Sequence, residues 1–323
     1  MKSSRLFTGI GVAIIILFVV LLAAYFIMDV EKINLSDEER LVLSDGFVEL
    51  SNGVVYYEIA GSEGAPMVVL VHGFSVPSYV WDPTFKALVE AEFRVLRYDL
   101  YGRGFSDRPE VDYDYTLFIE QLEQLLIALE IKEPVSLVGL SYGGPIVAGF
   151  ANRFPEKVNS LVFVAPQVST VTASEIFPLN IPLIGEYLMA VYIEPVVLPK
   201  TQAGDFYRPE YFHNWEEMYL VQTQYKGFRK AILSSLRNMV GWEVVSEYQA
   251  IGNQDFETAL FWGQEDETIH AEDIGVIQKV ISNIEFHLIE DAGHLVHYEK
   301  SADVNPLLIE FLRGAERIDN AND

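Results

Sequence analysis

The stretch "VSLVGLSYGGPIVAGF", residues 135–150, decides how this chain is read. Its opening "VSLVGL" is a near-continuous apolar run, the pattern of a strand covered on both faces. From Tyr142 to Phe154 the spacing predicts a helix. One serine, Ser141, stands between them, with Gly139 and Gly143 two residues to either side and Gly144 following. Glycine weakens strands and helices alike. A sharp strand-to-helix turn explains its presence, because the backbone there passes too close to its neighbours for side chains. Such a turn strains the serine, lifts its hydroxyl clear and aims the amides of a helix start toward a developing negative charge. G-x-S-x-G alone is weak evidence, since any tight turn needing small residues could produce it. The buried strand before it and the helix after it give it weight.

Outward from the serine, strand and helix patterns alternate. "GFVEL" and "VVYYEI" form a hairpin pattern around Asn52-Gly53. Strands are expected at 67–72, 93–99, 158–165, 258–263 and 284–290. Helices are expected in "WDPTFKALVEAE", at 116–131, near 273–281 and at about 297–312. This order predicts an α/β fold with a mostly parallel central sheet and helices on both faces. Residues 167–250 interrupt it with a block rich in Tyr, Phe, Trp and Pro, whose most helix-like part is "GFRKAILSSLRNM" (227–239). Connections inside a compact domain are short, so this block is expected to be an inserted helical cap.

A serine hydroxyl needs a base to take its proton. His294, in "DAGHLVHYE", follows the last expected strand in a Gly-containing loop, at the carboxyl end where ligands gather in a parallel sheet. His297, three residues on, reads as core or surface, and His287 falls inside a strand. The base in turn needs an acid to hold its tautomer. "FWGQEDET" places Asp266 just past a strand, with Glu265 and Glu267 expected to be solvated. The loop "APQVS" after the preceding strand offers no carboxylate. The chain order Ser141, Asp266, His294 is that of nucleophile, acid and base. In "LVHGFSVPSYVW" the amide of Phe74, with that of Tyr142, is a candidate pair of oxyanion donors, and His72 is read as shaping the loop. "YDLYGRGFSDRP" (98–109) lacks the helix start of a phosphate loop and is read as the edge of the cleft. Neither cofactor nor metal is called for.

The 323 residues carry 22 basic and 47 acidic side chains, a formal charge of −25, which argues against a nucleic-acid partner. No cysteine is present, excluding disulfides and a thiol nucleophile. "LFTGIGVAIIILFVVLLAAYFIM", residues 6–28, contains no charge. As a helix it would span ~35 Å, enough for a hydrocarbon core of ~30 Å. It exceeds the apolar region of a cleaved signal peptide and shows no A-x-A site, so a single membrane anchor is expected. Lys2 and Arg5 precede it, and acidic residues dominate beyond it, which favours a soluble domain outside the cytoplasm.

Taken together, "VHGF", "DLYGRGFSDRP", "GLSYGG", "WGQEDET" and "AGHLVHYE" resemble the α/β-hydrolase fold superfamily over roughly residues 46–313. The likeness is to its capped serine hydrolases: esterases, membrane-anchored monoacylglycerol-lipase-like enzymes and hydrolases of meta-cleavage products. It implies 1–30 as anchor, 31–45 as linker, 46–166 and 251–313 as the hydrolase core, 167–250 as cap and 314–323 as a frayed polar tail. It further implies hydrolysis of a small, apolar carboxylic ester through Ser141, His294 and Asp266. Serine at position 141 sets aside the branches that use an aspartate nucleophile. Carbon–carbon bond hydrolysis stays open, with Arg208, Arg229 or Arg237 as carboxylate binders, and so does a non-catalytic binding module. Phe177, Tyr192, Phe206, Tyr211, Trp215 and Phe228 are candidate pocket aromatics.

Overall fold

The computed structural model describes residues 2–36, 40 and 46–322, with backbone alone for 2–6, 8 and 317–322. Residues 37–39 and 41–45 of the expected linker, and the last residue of the tail, lie outside the described residues. Eight strands form one sheet: β1 (Phe47–Leu50), β2 (Gly53–Ala60), β3 (Met67–Val71), β4 (Arg94–Tyr98), β5 (Val135–Leu140), β6 (Val158–Val164), β7 (Glu257–Gly263) and β8 (Glu285–Ile289). Their order is β1-β2-β4-β3-β5-β6-β7-β8. The β1–β2 hairpin and the β2–β4 pair are antiparallel, and every other pairing is parallel. The sheet is thus mostly parallel, as the alternation of patterns predicts.

Alternate strand residues face opposite layers. Val69, Val71, Leu96 and Leu137 pack into one core with the helices Tyr115–Ala128 and Gly143–Arg153. Val68, Leu70, Val95 and Val138 pack into the other, with Asp82–Glu90 and the carboxyl-terminal helix. Asp114 caps Tyr115–Ala128 by accepting from Leu117 N at 2.8 Å, satisfying one of the free amides of a helix start. The carboxyl-terminal helix runs over Ser301–Asn322, longer than expected, so the tail continues it instead of fraying at 314.

Between β6 and β7 lies an insertion of short helices: Ile184–Leu188, a π-helix over Met189–Val197, Trp215–Thr223, Phe228–Asn238 and Val244–Ile251. Its own core is aromatic. Phe206 stacks on Phe212 with centroids 4.2 Å apart and meets Trp215 edge-on at 5.0 Å. The last helix belongs with the sheet layers: Tyr248 is fully buried and donates to Gln167 O at 2.8 Å beside Gly143–Arg153.

The amino-terminal helix is Lys2–Met28, and its Gly9–Met28 portion is long and apolar enough to cross a membrane. The residues just after it are tied down. Lys32 N and Ile33 N both donate to Gln224 O at 2.9 Å, and Lys226 N donates back to Ile33 O at 2.9 Å. The start of the expected linker is therefore a bridge to the insertion.

Candidate active site

Ser141 occupies the turn between β5 and Gly143–Arg153 with φ of 51°, the left-handed region that costs a residue with a side chain about 1–2 kcal/mol. Hydrogen bonds hold it there. Ser141 N donates to Val164 O at 2.9 Å, and Ser141 O accepts from Gly144 N at 2.9 Å and Gln167 N at 3.0 Å. The glycines are required by close approach. A Cβ on Gly139 would lie 2.6 Å from Gly143 O, and one on Gly143 would lie 2.8 Å from His72 O. One on Gly144 would meet Tyr248 Oη at 2.9 Å.

His294 and Asp266 come from the loops after β8 and β7. His294 Nδ1 donates to Asp266 Oδ2 at 2.9 Å, which leaves Nε2 as the proton acceptor. Asp266 Oδ1 is occupied by Thr268 N at 2.8 Å and Ile269 N at 3.0 Å, fixing the carboxylate. Burial pushes the His294 imidazole down, but the charge and hydrogen bond of Asp266, helped by Asp205, outweigh it and raise its pKa. Two further carboxylates brace the histidine loop. Glu265 accepts from Ala292 N at 3.0 Å, so it is a strut where solvation was expected. Glu299 accepts from Gly293 N at 2.9 Å and from Tyr207 N and Arg208 N of the insertion.

Ser141 and His294 line one cavity of about 460 Å³. No hydrogen bond joins their side chains among the described residues, so the shared cavity brings them together. Phe74 lines it too, and its ring meets that of Tyr142 edge-on at 5.8 Å. Neither Phe74 N nor Tyr142 N donates to any described residue. Both amides are therefore without a protein acceptor among the described residues.

The loop carrying Phe74 is held from behind. Arg103, fully buried, donates through Nε to Phe74 O at 2.9 Å and through Nη2 to Ser235 Oγ at 2.8 Å. Burial lowers its guanidinium to about 10, leaving it charged at neutral pH. Gln222 of the insertion donates to Ser75 O at 2.7 Å and accepts from Gly104 N at 3.0 Å. The Gly-rich loop 98–109, expected at the edge of the cleft, supplies no lining residue of this cavity and instead braces the Phe74 loop from behind. His72 accepts from Leu100 N at Nε2, 2.9 Å away, and burial lowers its pKa to about 3. It is a neutral structural imidazole. His297, packed on Trp81 at 4.2 Å, is another.

The cavity walls differ from expectation. The insertion supplies Leu198, Thr201, Gln202, Gly204 and Asp205. None of the six candidate aromatics lines it. Phe206, Trp215 and Phe228 are core, while Phe177, Tyr192 and Tyr211 face outward. The candidate arginines lie elsewhere too: Arg229 pairs with Asp29, Glu31 and Glu194, Arg237 with Glu186, and Arg208 with Glu210. Asp205, beside His294, was invisible in the sequence because nothing local ties it to a strand end. Its carboxyl is pushed up by burial, opposed by the charge of His294 and the hydrogen bond from Thr268.

Comparison with known proteins gives the same frame. An uncharacterized protein of Mycobacterium tuberculosis is 35 % identical over 146 residues, 45 % of this chain and 42 % of that protein. The chain thus spans less than half the length of such mycobacterial relatives. Monoacylglycerol lipase ABHD6 of Homo sapiens is 24 % identical over 276 residues, covering 82 % of this chain and 80 % of the lipase. The solved bromoperoxidase of Bacillus anthracis superposes with a TM-score of 0.72 at 22 % identity, over 84 % of this chain and all of that one. A family model described as the alpha/beta hydrolase fold matches residues 66–301, from the start of β3 to the carboxyl-terminal helix. With that match over most of its length, and the serine turn in the place the fold provides for it, the chain belongs to the α/β-hydrolase fold family.

Proposed function

We propose that the chain is a membrane-anchored serine hydrolase that cleaves carboxylic esters through an acyl-enzyme. The observation that carries this reading is the His294–Asp266 hydrogen bond of 2.9 Å beside a cavity shared with the strained Ser141. Asp266 holds the imidazole with its proton on Nδ1, so Nε2 takes the proton from Ser141 as the hydroxyl attacks the ester carbonyl. The tetrahedral oxyanion is held by Phe74 N and Tyr142 N, each worth about 3 kcal/mol in the transition state. His294 then returns the proton to the leaving alcohol. Water, deprotonated by the same nitrogen, releases the acid.

The insertion acts as a cap, because five of its residues wall the cavity. At about 460 Å³ the site suits a small or medium ester. Leu140, Leu198, Val76 and Leu295 favour an apolar acyl group, and Thr201, Gln202 and Asp205 can meet a polar alcohol. Together with the anchor and the lipase relative, this supports lipid-like acyl esters as the substrate class. The pairing of Arg208, Arg229 and Arg237 away from the cavity counts against carbon–carbon bond hydrolysis. Lys2 and Arg5 ahead of the apolar helix support a cytoplasmic amino terminus and an extracytoplasmic soluble domain. Turnover of an ester series graded in acyl length, with ring-fission products alongside, tests the assignment. Ester turnover that rises from acetyl to longer chains is the expected result. Preference for the ring-fission product would overturn it.

A further inference from the structure

Residues 176–199 of the insertion, "IFPLNIPLIGEYLMAVYIEPVVLP", contain two charged side chains in a chain of net charge −25. Glu194 is completely buried, and Glu186, whose side chain is about half exposed, is paired with Arg237 at 2.6 Å. Apart from Glu186, the large side chains it exposes are apolar: Leu183 at 83 %, Phe177 at 66 %, Tyr192 at 54 % and Ile184 at 47 %. So many exposed apolar side chains in one short segment point to a contact that covers them.

The amino-terminal helix says what covers it. Tyr187 Oη donates to Leu21 O at 3.1 Å, inside that helix. Leu21 stands seven residues before the helix end at Met28, which is ~10 Å along the axis. The uncharged run of residues 6–28 spans ~35 Å against a hydrocarbon core of ~30 Å, so there is little slack. A helix that crosses the bilayer therefore carries Tyr187 and its neighbours to the depth of the lipid. Residues 29–33, just past the helix end, lock this attitude. Arg229 pairs with Asp29, with Glu31 at 3.0 Å and with Glu194 at 3.1 Å, and its N–H donates to Glu31 Oε1 at 2.8 Å. The bridge of Ile33 to Tyr225 closes the clip.

We propose that the segment from Phe177 to Tyr192 is a second membrane contact, inserting its apolar side chains among the lipids beside the anchor, with the Arg229 cluster fixing the insertion in that position. The proposal rests on the reading of the amino-terminal helix as a membrane span. It adds a route to the active site. The same segment continues without a break into Leu198, Thr201 and Gln202 of the cavity wall. The cavity wall is thus built on a surface seated in lipid, and an amphiphile can pass from the bilayer to Ser141 with little exposure to water.

The absence of cysteine makes the test direct. Leu183→Cys, Tyr192→Cys, Phe18→Cys in the anchor and Ile127→Cys on an exposed core helix are each labelled with an environment-sensitive fluorophore. The full chains are then placed in phosphatidylcholine vesicles doped with spin-labelled lipid. Probes at positions 183 and 192 should be quenched to within about twofold of the probe at 18, with the probe at 127 unquenched. Arg229→Ala should reduce quenching at 183 several-fold without changing it at 18. Quenching at 18 but not at 183 overturns the proposal alone, and is the result expected if a second copy covers the patch. No quenching at 18 overturns the membrane span and the proposal with it. Equal quenching at 127 and 183 overturns the assignment of this surface, and unchanged quenching in the Arg229 variant overturns the lock.

Discussion

Thr268 Oγ1 donates to Asp205 Oδ1 at 2.9 Å, tying the insertion to the loop that holds Asp266. Leu295 N donates to Asp205 O at 3.1 Å on the other side. Two carboxylates from different parts of the chain therefore act on the imidazole of His294, and both raise its pKa against the effect of burial.

The acid limb of kcat/KM should accordingly lie above the ordinary imidazole value of 6.5, because the base must be neutral to act. Asp205→Asn keeps an acceptor for Thr268 and removes one charge. With less to stabilise the imidazolium, the limb should move to lower pH. A pH–rate profile of both proteins checks the direction, and an unmoved limb would take Asp205 out of the electrostatics of the site.

Gly143→Ala should destabilise the fold by about 3 kcal/mol. The new methyl would press on the backbone carbonyls of Val71 and His72, and neither strand end can give way cheaply. Chemical denaturation in detergent measures the loss. A cost below about 0.5 kcal/mol, the range of ordinary surface changes, would mean the turn is looser than it looks.

Arg103→Met should leave the pH profile in place and lower kcat by about 100-fold, the scale of a small misplacement of a reacting group. Its guanidinium holds Phe74 O, and through it the attitude of the Phe74 amide. Steady-state kinetics separates this from a binding defect, since KM should change far less than kcat.

Glu194 offers a pH test of the clip that Arg229 makes with residues 29–31. Burial, with Glu31 nearby, pushes its carboxyl up to about 9 despite Arg229. The folded state then binds a proton that the unfolded chain releases near 4.5. Stability should fall as pH rises between those values. Glu194→Gln should flatten that slope, as thermal unfolding of the full chain at about pH 6 and about pH 8.5, both inside this range, would register.

The parts of this account legible in the sequence are those with local signatures. Buried parallel strands read as apolar runs, and the glycines around Ser141 report a backbone collision that any L side chain would suffer. His294 and Asp266 could be picked because each follows a strand end, the one place where the fold gathers side chains. The insertion gave no such purchase. Its aromatics were candidates for the pocket, yet Phe206 and Trp215 pack on each other, and Leu198 to Asp205 wall the cavity instead. Which face of a short helix looks inward depends on neighbours distant in the chain, and no periodicity encodes that. The brace from Arg103 to Phe74 and the grip of Arg229 on Asp29 and Glu31 were hidden for the same reason: each joins segments far apart in sequence.

The central claim is that Ser141 is a nucleophile activated by His294. Reaction of the full chain with a fluorophosphonate, followed by mass spectrometry of the digested protein, tests it most directly. The account predicts one adduct per chain, on Ser141, absent from Ser141→Ala and much slower to form in His294→Ala, with ester turnover in Ser141→Ala lower by roughly 10⁴–10⁶-fold. A folded protein that stays unlabelled, or that keeps its ester turnover after Ser141→Ala, would contradict it.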